Sequence, residues 1–221
     1  MTEIEAIMQR HSVRAYLDKE IEPEKADALK ERIRKCNEEG NLHMQFYTDT
    51  EKTFGKFVHN FTKLKTAPAV IVCAGKDDET LEERIGYYGE QIVLLAQRLG
   101  LNTCWVGMFQ ESGTPVELDP GEKLVIVIAV GYGRTQGKQH KSKPYDQVVE
   151  GTDEKPEWFR RGVELALLAP TAVNQQKFVF RLKEDDSGEV VEGQGPFSKV
   201  DKGIVKYHFD VGAAEVLSGS K

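Results

Sequence analysis

Two short apolar runs, residues 67–75 and 123–133, constrain the fold of this chain most. Both are rich in β-branched residues in their middle and carry almost no charge. Continuous runs of this length are typical of strands that are buried on both faces of a sheet. Between them, residues 80–99 form the longest helical pattern, and residues 92–96 are apolar nearly all round. Such a helix is buried either in a core or in a subunit interface.

Weaker patterns predict the remaining elements. Helices are expected over residues 3–8, from Pro23 to about Gly40, over 156–169 and over 205–217, with strands over 42–47, 101–109 and 178–182 and near 190–191. Residues 48–64 are ambiguous, and Phe54, Phe57, Val58 and Phe61 have a helical spacing typical of core packing. Gly86 and Gly89, inside the long helix, indicate close approach of another backbone or a flat ligand.

Composition restricts the function. The 221 residues include 36 acidic and 30 basic side chains, so the formal net charge is −6, and we expect no nucleic-acid partner. The chain contains no apolar run of transmembrane length and does not begin like a signal peptide, so we expect no membrane partner. Three cysteines far apart in the sequence predict a reducing, cytoplasmic compartment, and the five histidines show no metal-ligand spacing.

A short basic segment, Arg10-His11-Ser12-Val13-Arg14, followed by Ala15-Tyr16, is the first candidate site. Val13 and Tyr16 favour extended backbone, in which successive side chains alternate between faces. Arg10, Ser12 and Arg14 would then share a face on which two guanidinium groups flank a hydroxyl. This arrangement suits a phosphate, although a solvated basic turn has the same spacing.

A second candidate site follows the helix over 156–169. Residues 170–176 form a loop with neutral hydrogen-bonding side chains and no charge, directly before the strand over 178–182. Amide and hydroxyl groups suit a flat heterocycle with many donors and acceptors, and they also suit an ordinary turn at a helix end.

Taken together, these segments resemble the FMN-dependent nitroreductase family. Residues 10–16 resemble the family's opening R-x-S-x-R-x-[YF] motif, and residues 169–176 resemble its A-P-[ST]-x-x-N-x-Q loop. Residues 100–107 resemble its GL-x-T-x-W-x-G segment, and Lys141-Ser142-Lys143 resembles its late basic pair. In typical members the A-P-[ST] loop follows soon after the opening motif, whereas here residues 34–39 hold that place and the loop lies in the last third. The chain therefore resembles a divergent branch of the family.

The resemblance implies an α+β, three-layer fold in which helices flank a central mixed or antiparallel sheet. It also implies a single domain over 1–221, and a repeated helix-then-strand order suggests a partial internal duplication of about 1–150 and 151–221. The implied cofactor is FMN, which the following residues would bind: Arg10, His11, Ser12, Arg14, Val106, Gly107, Lys141, Lys143, Pro170, Thr171, Ala172, Asn174 and Gln176. Of these, Arg10, Arg14, Lys141, Lys143 and Ser12 would hold the phosphate, and a backbone N–H of Val106 or Gly107 would face flavin N5. Thr171 and Asn174 would hydrogen-bond the ring, and His11 would contribute its backbone.

The implied activity is transfer of a hydride from NADH or NADPH through the flavin to a small electron-poor acceptor such as a nitroaromatic or a quinone. No protein nucleophile, catalytic carboxylate or metal is required for this chemistry, because the flavin carries it. Two alternatives stay open, a flavin- or nucleotide-binding module without turnover and a generic anion site without flavin. A homodimer is expected, because the apolar helix over 92–96 and the glycines before it need to be covered.

Overall fold

The computed structural model describes residues 1–48, 50, 67–109, 114–151 and 154–219. Within them, the chain forms five helices and six strands, and each pair of consecutive strands is followed by a helix. The helices are α1 (Glu3–Gln9), α2 (Pro23–Gly40), α3 (Leu81–Arg98), α4 (Glu157–Ala166) and α5 (Ser198–Gly219). The strands are β1 (Gln45–Tyr47), β2 (Ala69–Lys76), β3 (Asn102–Val106), β4 (Glu122–Gly131), β5 (Phe178–Leu182) and β6 (Gly188–Glu192). The α+β class is thus confirmed.

Strands β1 to β4 form one antiparallel sheet in the order β1-β2-β4-β3. The two apolar runs lie at its centre as β2 and β4, where Ile71 pairs with Ile128 and Val72 pairs with Val127. Seven of the eight residues of β2 are buried, so the continuous apolar pattern correctly predicted a strand covered on both faces. The remaining two strands, β5 and β6, form a separate antiparallel pair.

The long helix α3 begins and ends close to its predicted bounds. Gly100 follows it with a φ of 76°, and its N–H donates to the carbonyl of Gln97, as expected for a glycine after a helix C-terminus. Ile92, Val93, Leu94 and Ala96 are fully buried within one chain. These residues therefore need no partner subunit to cover them. The homodimer stays a prediction, but the apolar surface of this helix no longer argues for it.

The chain divides into two compact units. The sheet unit comprises Arg10–Leu81 and Ile92–Lys138, and the helical unit comprises Met1–Gln9, Glu82–Gln91 and Gln139–Lys221. The single-domain organisation and the partial internal duplication stay predictions. The first four strands belong to the sheet unit, whereas α4, α5 and the β5-β6 pair belong to the helical unit.

Glycines allow α3 and α5 to cross at backbone contact in the helical unit. A Cβ atom on Gly86 would lie 2.1 Å from the carbonyl oxygen of Val200, and one on Gly203 would lie 2.0 Å from that of Glu83. Real Cβ atoms do not approach an oxygen so closely, so both positions require glycine. The sequence predicted that either another backbone or a flat ligand approaches Gly86, and the structure shows the backbone of α5 there.

Two expectations for secondary structure need comment. The last helix begins at Ser198, whereas the sequence predicted a start at Val205. A glycine normally weakens a helix, but Gly203 lies in the interior of this one, where it crosses α3. The aromatic pattern of Phe54, Phe57, Val58 and Phe61 lies outside the described residues. Among the described residues, no helix is long and apolar enough to cross a membrane.

Candidate functional site

The basic segment of the sheet unit is extended, as predicted, and runs beside β3. Ser12 forms a parallel bridge with Thr103, and the N–H of Val13 donates to the carbonyl of Thr103 over 3.0 Å. Further along, the N–H of Leu17 donates to the carbonyl of Tyr132 over 2.7 Å. The segment is therefore fixed at both ends by main-chain hydrogen bonds to the sheet.

Side chains of this segment differ in burial according to their position. Val13 is buried in the core cluster of the sheet, Arg10 is buried, Ser12 is half-buried and Arg14 is exposed. Within the described residues, the structure shows no ion-pair partner for Arg14 and no hydrogen bond from the Ser12 hydroxyl. The segment thus offers a guanidinium and a hydroxyl that the described part of the protein leaves available to a ligand.

The charges of Arg10 and Arg14 both affect the pKa of the Cys104 thiol in β3. Burial raises the pKa of Cys104, and the positive charges of Arg14 and Arg10 both lower it. The pKa of Tyr16 is likewise raised, chiefly by burial and then by Cys104, while Arg14 lowers it. Both guanidinium groups therefore place positive potential on the same part of the sheet unit, which favours an anion there.

A loop after β4 closes over the segment. Asn102 fixes it, because its side-chain oxygen accepts from the N–H of Gly133 at 2.9 Å and its amide donates to Gln136 at 3.0 Å. Gly137 has a φ of 75°, and a Cβ atom there would lie 2.8 Å from the Cβ of His11. The loop backbone therefore passes directly over the candidate phosphate segment, and His11 is half-buried beneath it.

Two further predicted residues end the edge strand of the sheet. Val106 is buried and pairs with Val127, and Gly107 follows as the first residue after the last pair of β3. The structure therefore places the predicted backbone N–H contact at the end of the strand that the basic segment accompanies.

The loop at residues 170–176 lies in the helical unit and has an unusual backbone. Three residues that are not glycine have positive φ, namely Val173 at 48°, Asn174 at 56° and Gln176 at 45°. A β-branched residue in this region is strained, and Val173 has no packing to offset that strain because it is 90% exposed. Such strain concentrates at functional sites, so it supports this loop as a candidate site.

Hydrogen bonds join this loop to the segment at residues 140–143. The side-chain amides of Asn174 and Gln176 donate to the carbonyl of Lys141 at 3.2 and 2.9 Å. In return, the ammonium of Lys143 donates to the carbonyl of Gln176 at 2.7 Å. The structure thus brings together Lys141, Lys143, Asn174 and Gln176, and it also commits the Lys143 ammonium to a backbone oxygen.

The rest of the loop is fixed from within and by its neighbours. Thr171 accepts from the N–H of Gln176 at 3.1 Å, and Pro170 is buried. Ala172 begins a single 3-10 turn that ends at Asn174. Ser142 donates to the carbonyl of Leu167 at 2.7 Å, which fastens the 140–143 segment to the end of α4.

A buried carboxylate that the sequence reasoning missed supports the loop. Asp201, in the first turn of α5, accepts from the N–H of Ala172 at 2.9 and 3.1 Å and from the amide of Gln175 at 2.7 Å. Burial raises the pKa of Asp201 to about 6, although both hydrogen bonds lower it. The signal in the sequence was an acidic residue between Val200 and the apolar pair Ile204-Val205, at helical spacing from Ile204 and Val205.

His43, Asp119 and Glu122 also lie together, although their spacing in the sequence did not indicate a site. Their candidate ligand atoms all lie within 4.8 Å of one another, and Nδ1 of His43 lies 2.7 Å from the carboxylate of Glu122. The same carboxylate oxygen accepts from the N–H of Asp119 at 2.8 Å. An ion pair and a turn account for this cluster, so the expectation of no metal site stays a prediction.

A sequence model of one protein family, described as "Putative TM nitroreductase", matches residues 3–213. The chain belongs to the nitroreductase family. The match extends over almost the whole chain, including both the basic segment and the late loop. No curated protein sequence matches this chain.

Solved structures share the fold. A protein from Thermotoga maritima described as "a putative nitroreductase" is 24% identical with a TM-score of 0.72, and the alignment covers 99% of this chain and 86% of that one. A protein from Desulfovibrio desulfuricans with the same description, solved in complex with FMN, is 18% identical with a TM-score of 0.56 and is aligned over 70% of this chain and 99% of that one. A nitroreductase family protein from Streptococcus pneumoniae is 14% identical with a TM-score of 0.55, covering 68% and 100%. At these identities the likeness establishes the fold of this chain alone, which is the fold that the sequence resemblance implied.

Proposed function

We propose that this nitroreductase binds FMN and is an NAD(P)H-dependent oxidoreductase that reduces small electron-poor acceptors such as nitroaromatics and quinones. The observation that carries the proposal is the pair formed by Arg14 and Ser12, whose guanidinium and hydroxyl have no partner among the described residues. Family membership and a neighbour solved with FMN support the choice of cofactor.

The basic segment fits the phosphate of FMN. Arg14 would form charge-assisted hydrogen bonds, Ser12 would donate its hydroxyl, and buried Arg10 would add a second positive charge. Because Ser12 and Val13 are fixed to Thr103 by the sheet, these donors are held in place before the ligand arrives. A ligand therefore meets a segment whose backbone is already ordered, which lowers the entropy that binding would cost.

Polar groups of the loop at 170–176 fit a flat ring. The Thr171 oxygen already accepts from Gln176, so its hydroxyl hydrogen remains as a donor. Asn174 donates to Lys141 and accepts from Gln176, which fixes the orientation of its amide. We propose that Thr171 and Asn174 hydrogen-bond the flavin, that the end of β3 at Val106 and Gly107 supplies a backbone N–H, and that Lys141 contributes positive charge.

Flavin chemistry explains why the chain needs no catalytic triad. Bound FMN would supply the chemistry of hydride transfer between a nicotinamide and an acceptor. The residues of this protein bind the cofactor and orient its donors and acceptors. We propose no protein nucleophile and no metal in the reaction.

The first test is the visible absorption spectrum of the purified protein, with the mass of any released cofactor. The proposal expects a flavin spectrum, the mass of FMN, and loss of absorbance when NADH or NADPH is added without oxygen. Flavin that neither nicotinamide reduces would instead indicate a binding module without turnover. A colourless protein that does not take up added FMN would refute the proposal.

A charge reversal separates a phosphate site from a generic surface charge. Arg14→Glu should weaken FMN binding at least about a hundredfold, because it removes a charge-assisted contact and adds repulsion. Arg160→Glu, which makes the same charge change at an exposed position of α4, is the matched control and should leave binding unchanged. Equal affinities of the two variants would rule out the basic segment as the phosphate site.

A further inference from the structure

Asp201 accepts three hydrogen-bond contacts from the loop at residues 170–176. Its two carboxylate oxygens accept from the N–H of Ala172, and one of them also accepts from the side-chain amide of Gln175 at 2.7 Å. The same amide of Gln175 donates to the carbonyl of Pro196 at 2.8 Å. Asp201 itself is only 7% exposed. One buried carboxylate therefore fastens both the first and the fourth residue of a four-residue turn.

The turn needs such an anchor because its own backbone is unfavourable. Val173 and Asn174 lie between the two anchored residues and both have left-handed φ. Valine avoids this conformation, and its side chain is too exposed for packing to hold it there. Without the contacts to α5, we expect the turn to relax, and Asn174 would lose its present direction.

We propose that Asp201 is a positioning residue for the flavin, whose carboxylate holds the 172–175 turn so that Thr171 and Asn174 face the ring. This inference rests on the proposed binding of FMN. Asp201 touches neither cofactor nor acceptor in this scheme, and it acts through the turn alone.

The chemistry of the carboxylate makes this role sensitive to protonation. Both groups that face it from the loop, the N–H of Ala172 and the amide of Gln175, are uncharged donors. The neighbouring cations on α5, Lys199 and Lys202, act on the carboxylate of Glu192. Burial raises the pKa of Asp201 to about 6, so it takes up a proton just below neutral pH. A protonated carboxyl would present a hydrogen toward one of these donors and lose that contact.

The experiment measures the dissociation constant of the flavin at pH 5 and pH 7.5 by quenching of its fluorescence. Riboflavin is measured beside FMN, because it has no phosphate and so no ligand titration in this range. For the wild type, we expect riboflavin binding to be about tenfold weaker at pH 5, as a group with a pKa of about 6 dictates. FMN binding should change by this factor together with the factor from its own phosphate. Asp201→Asn should bind riboflavin weakly at both pH values, with a ratio between them close to one.

Asp210→Asn is the matched control on the same helix. Its carboxylate accepts from Tyr87 at 3.1 Å and from Lys206 at 2.6 Å, and these groups lie away from the loop. The control should keep the wild-type affinity and the wild-type pH ratio. Circular dichroism of each variant shows whether it is folded under the same conditions.

A second variant tests the same turn without altering the carboxylate. Gln175→Ala removes the donor that ties the end of the turn to Asp201, and it should weaken binding at pH 7.5 about tenfold. Combined with Asp201→Asn, it should add little, because both changes release one turn. This variant decides the question if Asp201→Asn does not fold.

Three results have distinct meanings. A wild type that binds neither flavin contradicts the proposed function itself. A wild type that binds, together with Asp201→Asn or Gln175→Ala of unchanged affinity and unchanged pH ratio, overturns the positioning role alone. Weak binding by both folded variants, with the pH ratio lost in Asp201→Asn, supports it.

Discussion

Replacing Asp201 with asparagine should change how the stability of the protein depends on pH. Burial raises the pKa of Asp201 in the folded chain to about 6, from the ordinary value of 3.8 for an aspartate. Between these two values the folded state binds more protons than the unfolded state, so stability falls as pH rises through this window. Above about pH 7 the carboxylate is ionised in both states, and the cost of burying its charge is fully present.

The magnitude follows from the two pKa values. From pH 4 to pH 7 they correspond to a loss of about 2 kcal/mol in the free energy of unfolding. Asp201→Asn cannot ionise and does not carry this loss. The new amide can place its NH₂ group against that of Gln175, which costs stability, but this cost does not depend on pH. The difference between wild type and variant should therefore shift by about 2 kcal/mol in favour of the variant between pH 4 and pH 7.

Urea unfolding of the flavin-free protein at four pH values, followed by circular dichroism, measures this difference. Asp210→Asn serves as the control, because it removes the same charge from the same helix. A wild-type-minus-variant difference that stays constant from pH 4 to pH 7 would show that Asp201 does not bind its proton more tightly in the folded chain. A shift of the opposite sign would mean that its hydrogen bonds outweigh its burial.

Three other substitutions test the packing of the helical unit by urea unfolding at pH 7. Gly203→Ala should cost about 3 kcal/mol or more, because its Cβ would lie 2.0 Å from a backbone oxygen, whereas Gly219→Ala, with open space around it on the same helix, should be tolerated. Glu90→Leu should cost about 3 kcal/mol because it leaves a ring nitrogen of fully buried His208 without its 2.9 Å partner, and Glu90→Gln, whose side-chain amide keeps a hydrogen-bonding group beside that nitrogen, should cost much less. Val173→Asn should stabilise the chain by about 1 kcal/mol, since asparagine tolerates the left-handed backbone that valine resists. Equal effects within the glycine pair or the Glu90 pair, or a destabilised Val173→Asn, would contradict the respective argument.

The central strands and the long helix could be predicted from the sequence because their signals are local. Continuous apolar runs specify β2 and β4, and a helical period with a following glycine specifies α3. The extended form of the basic segment was also predicted, from the β-preference of Val13 and Tyr16. In each case the property that determines the structure is carried by neighbouring residues in the chain.

The supports of the site could not be predicted, because they depend on contacts between residues far apart in the sequence. Asp201 meets Ala172 across 29 positions, and His208 meets Glu90 across 118. Only the fold decides which charged residue on a helix is buried beside which partner. For the same reason the start of α5 was misplaced, since Gly203 is explained only by the helix that crosses it.

The helical unit combines two features that each lower its stability, a buried charge at Asp201 and left-handed backbone at Val173. Each has a cost that asparagine would avoid, because asparagine at position 173 tolerates the left-handed backbone and asparagine at position 201 carries no buried charge. Both features act on the same turn, which carries Thr171 and Asn174. A protein that only needed to end α4 and begin β5 could do so with a glycine turn and an apolar helix start. The coincidence of both costs at the turn with the family's flavin motif is what a binding site predicts, since preorganised sites commonly contain strained backbone and buried charge.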